Sequence, residues 1–152
     1  MEVSNFVELQ SEFMARVQRA VYCNVATVDP RGRPRSRVMH LVWDGPIGLV
    51  ITWPESPKAR HLSQNPHVSI AYISEPTRPV YVECTAAWVT ERSEQLRIWE
   101  LYKTIPLGFD LTPHYGTIEH KHFGILQFTP WRVELAKLWK ESLIWRPRNP
   151  IS

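Results

Sequence analysis

Tyr22-Cys23-Asn24-Val25-Ala26-Thr27-Val28-Asp29-Pro30-Arg31-Gly32-Arg33-Pro34-Arg35-Ser36-Arg37-Val38-Met39 is the stretch on which the fold turns. Its first seven residues are β-branched and aromatic, the composition of a strand. Asp29-Pro30-Arg31-Gly32 then puts Asp, Pro and Gly at positions i, i+1 and i+3 of a type I turn. A second strand is predicted from about Arg35 to Trp43. The pair is therefore a hairpin. Asp44-Gly45-Pro46 reads as another turn and Ile47 to Trp53 as a third strand, which makes a three-strand meander in which strand two pairs with strand three.

Working outward, Ser4 is the expected cap of a first helix, and Phe6, Leu9, Phe13 and Val17 follow at helical spacing. Ser56-Pro57-Lys58 opens a short second helix that ends near Asn65-Pro66, with Pro57 suited to its first position. Val68, Ile70 and Tyr72 alternate with Ala71 and Ile73, which predicts a strand buried on both faces. Val80 to Thr90 is a long strand with Val80, Val82, Cys84, Ala86 and Trp88 on one face. Ser93 is the expected cap of a helix carrying Ile98, Trp99 and Tyr102. Thr104 to Lys121, with Pro106, Gly108, Pro113 and Gly116, is predicted to be a loop of functional length. Phe123 to Phe128 reads as a strand, and Trp131 to Trp139 fits either a strand or a helix. Six or so strands with three short helices point to a closed barrel or a sandwich.

Composition narrows the function. The chain has 152 residues, the size of one domain. Thirteen are proline, above the usual ~5%, and six are glycine, below the usual ~7%. No GxGxxG or GxxxxGK[ST] loop occurs, so the common glycine-rich phosphate cradles are excluded. The net charge is +3, which suits an anionic partner such as a phosphorylated small molecule. It is low, without a recognised module, for nucleic acid. Cys23 and Cys84 stand far apart with no CxxC, as expected of buried thiols in a reducing compartment. There is no signal-peptide pattern and no membrane-spanning run, so a cytoplasmic protein is expected.

Two places carry anion-binding chemistry. Arg33, Arg35 and Arg37 share one strand face, and guanidiniums bind phosphate bidentately. Val38, Met39 and Leu41 put the Arg37 end nearest the core. Ser56-Pro57-Lys58 is a capped helix start, with free N–H groups, a hydroxyl and an ammonium. The third strand ends at Ile51-Thr52-Trp53, just before that helix. The basic strand end and the helix start are therefore expected to converge on one phosphate. His120 and His122 flank Lys121 and lack a carboxylate or cysteine partner, so no metal site is expected.

The quoted run resembles the opening of the pyridoxamine 5′-phosphate oxidase-like, FMN-binding split-barrel family. So do residues 56–70, the strand Val82-Glu83-Cys84-Thr85-Ala86 with the helix after it, and the closing Phe128-Thr129-Pro130-Trp131-Arg132-Val133-Glu134-Leu135. The resemblance covers about Phe13 to Trp139, and 1–152 is read as a single domain. It implies a mainly β (α+β) fold, a six-stranded antiparallel split β-barrel, two copies of which form a homodimer with FMN at the interface. Position by position it implies that Arg37 holds the FMN phosphate with Ser56 and Lys58. Val38, Met39 and His40 would lie along the flavin ring and ribityl chain, and Ile51 and Thr52 beside the isoalloxazine and phosphate. Arg132 and Trp139 would reach the site from the partner chain. The implied activity is FMN-dependent oxidation or reduction of a small-molecule substrate; the alternative is a non-catalytic flavin-, deazaflavin- (F420) or heme-binding protein. The chain departs from the true oxidases where their substrate arginine and histidine would stand, and Pro57 replaces one arginine of the usual phosphate pair.

Overall fold

A computed structural model describes residues 1–105 and 112–148. Among them nine strands form one mixed sheet that does not close. Six strands have five residues or more: β2 (Cys23–Val28), β3 (Pro34–Met39), β5 (Ile47–Ile51), β6 (His67–Tyr72), β7 (Val80–Trp88) and β8 (Ile125–Leu135). Three are short: β1 (Glu2–Val3), β4 (Val42–Asp44) and β9 (Leu143–Trp145). The helices are α1 (Val7–Ala20), α2 (Pro57–Gln64), α3 (Arg92–Lys103) and the single turn α4 (Thr112–Tyr115). No helix among the described residues is long and apolar enough to cross a membrane.

The ladder runs β3-β2-β6-β7-β8 antiparallel, then β9 and, parallel to it, β1. The other end of β8 pairs with β5, which pairs with β4. β3 and β4 thus sit at opposite edges, although only His40 and Leu41 separate them in sequence. A sheet whose two edges are joined by two residues has to curl. This corrects the meander. The predicted strand two is really β3 and β4, broken at His40-Leu41, and β3 makes no ladder with β5 among the described residues.

The β2–β3 hairpin follows from the quoted turn. Gly32 N–H donates to Asp29 O (2.9 Å), and Asp29 N–H donates to Arg33 O (2.9 Å). Gly32 has φ 75°, the left-handed position that follows a type I turn in a three-residue loop and that glycine takes without Cβ strain. The Asp29 carboxylate accepts from Arg31 N–H and Arg33 N–H and from Arg33 Nε at 2.8 Å. These bonds, the Arg33 side chain first, hold Asp29 down to about 2.

α1 buries Phe6, Leu9, Phe13 and Val17 in the main core, as predicted. Phe13 stands edge-on to Phe6 and Trp43 with centroids 5.4 and 4.9 Å away, and Trp43 Nε1 donates to Tyr72 Oη at 2.9 Å. A second core packs Ile98, Trp99 and Tyr102 of α3 against Val42, Leu49, Phe123 and Ile125.

Several local expectations need correction. Ser4 does not cap α1; Glu8 Oε1 accepts from the Ser4 and Asn5 N–H groups instead. The cap position of α3 is Glu91, not Ser93. β6 alternates, with His67 and Ser69 exposed and Ile73 beyond its end also exposed, because an antiparallel sheet leaves one face to solvent here. The ambiguous Trp131 region continues the preceding strand as β8. Opposite Glu83 and Cys84 the register shifts, and Pro130, which lacks an N–H, sits at that bulge. The predicted 104–121 loop contains α4, and Pro106 and Gly108 lie outside the described residues.

Candidate functional site

Where β3 leaves the sheet, its last residues face the end of β5 and the start of α2. A cavity of about 330 Å³ opens between them, lined by Arg37, Val38, Met39 and His40 on one side and by Val50, Ile51, Thr52, Lys58 and Tyr102 on the other. Seven sequence-predicted residues therefore meet there: Arg37, Val38, Met39, His40, Ile51, Thr52 and Lys58.

Arg37 is positioned by β2. Its Nη1 donates to Thr27 Oγ1 (3.0 Å) and to Val25 O (3.4 Å). Thr27 Oγ1 lies 2.9 Å from His61 Nδ1 of α2, so one buried hydroxyl ties the arginine to the helix. Burial and, after it, Arg35 hold the Arg37 guanidinium below its usual range. Lys58, in the first turn of α2, is likewise held down by burial and then by Arg37. Neither cation has an ion-pair partner among the described residues. Two neighbouring, half-buried cations without a carboxylate are a standing cost that an anion would relieve.

Ser56 precedes α2. Its backbone is extended, as at a helix cap, and Pro57 takes the first helical position, but its hydroxyl makes no cap hydrogen bond. Ser56 Oγ is buried and has no hydrogen-bond partner among the described residues. The expected capping bond is thus corrected: Ala59 N–H, one of the donors a cap hydroxyl would take, donates to the main-chain Ser56 O at 2.9 Å instead. Ser56 does not line the cavity; the guanidinium and ammonium that do form a donor pair that fits a phosphate.

The opposite wall is pinned by Tyr102. Its hydroxyl accepts from Ile51 N–H (3.2 Å) and donates to Leu49 O (3.1 Å). Thr52 N–H donates to Gly124 O at 2.8 Å. A Cβ on Gly124 would stand 2.8 Å from Pro54 Cγ and from the Trp88 ring, so this glycine allows the turn into α2 to pack closely.

The three-arginine face is not one site. Arg33 precedes β3 and is taken by Asp29. Arg132 does not line the cavity; it pairs with Glu83 at 3.1 Å and with Glu134. Trp139 does not line it either and is 92% exposed. Thr27, His61, Val50 and Tyr102 were not among the sequence-predicted site residues. The hairpin register held the signal for Thr27: Val25 is paired with Arg37 and Thr27 with Arg35, so Thr27 sits diagonally beside Arg37.

Comparison with known proteins agrees with this architecture. The pyridoxine/pyridoxamine 5′-phosphate oxidase of Bacteroides thetaiotaomicron is 33% identical over 145 residues, covering 93% of this chain and 65% of that protein, so this chain spans about two thirds of that relative's length. A protein related to general stress protein 26, of the pyridoxinephosphate oxidase family, from Clostridium acetobutylicum superposes with a TM-score of 0.72 at 14% identity, covering 91% of this chain and 94% of that one. A pyridoxamine 5′-phosphate oxidase-related, FMN binding protein from Nostoc punctiforme gives 0.63 at 20% identity, with 88% and 86% covered. The sequence model of the pyridoxamine 5′-phosphate oxidase family matches residues 9–134. The chain belongs to the pyridoxamine 5′-phosphate oxidase family.

Proposed function

We propose that the chain binds FMN in this cavity and acts, as a cytoplasmic homodimer, as a flavin-dependent oxidoreductase on a small-molecule substrate. The pair Arg37 and Lys58 carries the reading: two cations line one cavity without a carboxylate partner among the described residues. They would hold the phosphate. Val38, Met39 and His40 would flank the ribityl chain and ring, and Ile51 and Thr52 would meet the ring from β5. FMN, when bound, supplies the hydride and electron transfer; the chain supplies binding, orientation and electrostatics. Burial keeps the His40 imidazole toward its neutral form, and it keeps the Tyr102 phenol protonated, so neither adds to the charges of Arg37 and Lys58.

Two exposed apolar side chains are consistent with a dimer. Val38 is 68% exposed on the edge strand β3, and Trp139 projects into solvent from a positive-φ position. Arg132 and Trp139 would then serve the partner's site. The buried free thiols of Cys23 and Cys84 suit a reducing compartment.

The visible spectrum of the purified protein, followed by titration with FMN, tests the reading. A flavin spectrum that bleaches on adding reduced nicotinamide is the expected result. A flavin spectrum inert to every donor leaves a binding protein. A deazaflavin spectrum or a Soret band moves the cofactor assignment. A colourless protein that FMN does not reconstitute overturns it.

A further inference from the structure

A second cavity, of about 410 Å³, opens beside the first and shares His40 with it. It lies where the two cores meet. Val17, Leu41 and Trp43 belong to the main core, whereas Val42, Leu101 and Ile105 belong to the second. Gln18 and Thr104 are exposed and stand on its lining as well. Among the described residues, no Asp, Glu, Lys or Arg lines it. The contrast with its neighbour, which has Arg37 and Lys58, is one of charge.

A separate observation marks the same wall. α1 ends at Ala20, and its cap residue Val21 has φ 64° and ψ −58° and lines this cavity. Tyr22 N–H donates to Ala20 O at 2.7 Å, which makes a γ-turn of the rare, strained hand centred on Val21. Helix ends that need positive φ ordinarily use glycine. A β-branched residue held there is a true outlier, and such strain concentrates at ligand sites.

We infer that the second cavity binds an uncharged, largely apolar small molecule, one or two aromatic rings in size, against the Leu41–Trp43 wall. Its volume falls in the range of small-molecule pockets, which are mostly apolar with a few polar groups. Gln18, Thr104 and His40 supply those polar groups here. A charged ligand would lose its hydration and find no counter-charge among the described lining residues. The assignment does not rest on the FMN reading, because neither Arg37 nor Lys58 lines this cavity.

N-phenyl-1-naphthylamine, an uncharged fluorophore of two aromatic units, is the probe. The expected result is saturable, one-to-one binding by the wild-type protein. Gln18→Trp, on the exposed rim, and Leu101→Asp, which puts a carboxylate in the wall, should each weaken it at least tenfold. Thermal melts confirm that the variants are folded, and Gln18→Trp decides if Leu101→Asp is not. The sulfonated analogue 8-anilino-1-naphthalenesulfonate should bind at least tenfold more weakly. That comparison is made in an Arg37→Ala, Lys58→Ala variant, so that the first cavity no longer attracts the sulfonate. Lack of saturable binding, less than a tenfold loss in folded Gln18→Trp, or less than a tenfold preference for the neutral probe overturns the inference. FMN titrated in parallel separates the two readings: probe binding without FMN binding would refute only the flavin reading, and the reverse only this one.

Discussion

The Thr27 hydroxyl accepts a 3.0 Å hydrogen bond from Arg37 Nη1 and lies 2.9 Å from His61 Nδ1, joining β3 to α2 through β2. Thr27 is 1% exposed, so no water stands in for the hydroxyl if it is removed. Thr27→Val keeps the shape and deletes the oxygen. Folding stability should fall by about 1–3 kcal/mol, the cost of leaving buried polar groups unpaired. FMN affinity should also fall, by roughly fivefold or more, because Arg37 loses its anchor. Chemical denaturation and flavin fluorescence titration measure the two effects.

Arg37→Ala with Lys58→Ala removes both cations from the phosphate position. Charged hydrogen bonds are worth about 1.5–3 kcal/mol each. Together they predict a loss of FMN affinity of roughly 10²–10⁴-fold. Equilibrium dialysis gives the number, and unchanged affinity would show that the phosphate lies elsewhere.

Lys58 costs the empty protein stability. A lysine whose folded pKa is depressed, here by burial and then by Arg37, destabilises the fold while it is charged. That cost is full below the folded pKa and fades as pH rises through it toward the unfolded value. Lys58→Met should therefore raise the melting temperature of the flavin-free protein at pH 7, by about 1–2 °C for ~0.5 kcal/mol. The difference should shrink toward pH 10. The same variant should bind FMN less tightly, so stability and function move in opposite directions.

Asp29 gives the opposite sign. Its carboxyl is lowered to about 2, chiefly by the Arg33 side chain. Its contribution is present above the unfolded value of about 3.9 and is lost as pH falls from about 4 toward about 2. Asp29→Asn should melt earlier than wild type at pH 6. The gap should close as the pH approaches 2, which calorimetry across that range would follow.

Gly124→Ala tests the close approach beneath the α2 turn. The new methyl would meet Pro54 and Trp88 at 2.8 Å, well inside contact distance. Overpacking of this kind costs about 1–3 kcal/mol. Because Gly124 O also holds Thr52 N–H, the displaced turn should carry Lys58 with it, and FMN binding should weaken in step with stability.

The residues by themselves determined the local elements whose reasons are local. Asp29-Pro30-Arg31-Gly32 reads as a tight turn, the Phe6–Val17 stripe as an amphipathic helix, and Ser56-Pro57 as a helix start. Those elements already put Arg37 at a strand end and Lys58 in a first turn, and so much of the site was legible. The sequence said less about Ser56, whose hydroxyl looked like a cap and is an orphan.

Only the tertiary structure decided where strand two breaks. A run from Arg35 to Trp43 reads as one strand because every residue in it suits a strand; the break at His40-Leu41 comes from a curled sheet whose opposite edges those two residues must join. The same curl brings β5 and α2 against β3 without a ladder, places Thr27 and Tyr102 behind the cavity, and opens the second cavity between the two cores. None of these is a property of spacing along the chain. They arise from which distant strands pair, and hydrophobic alternation, which is the same for any partner, carries no record of that choice.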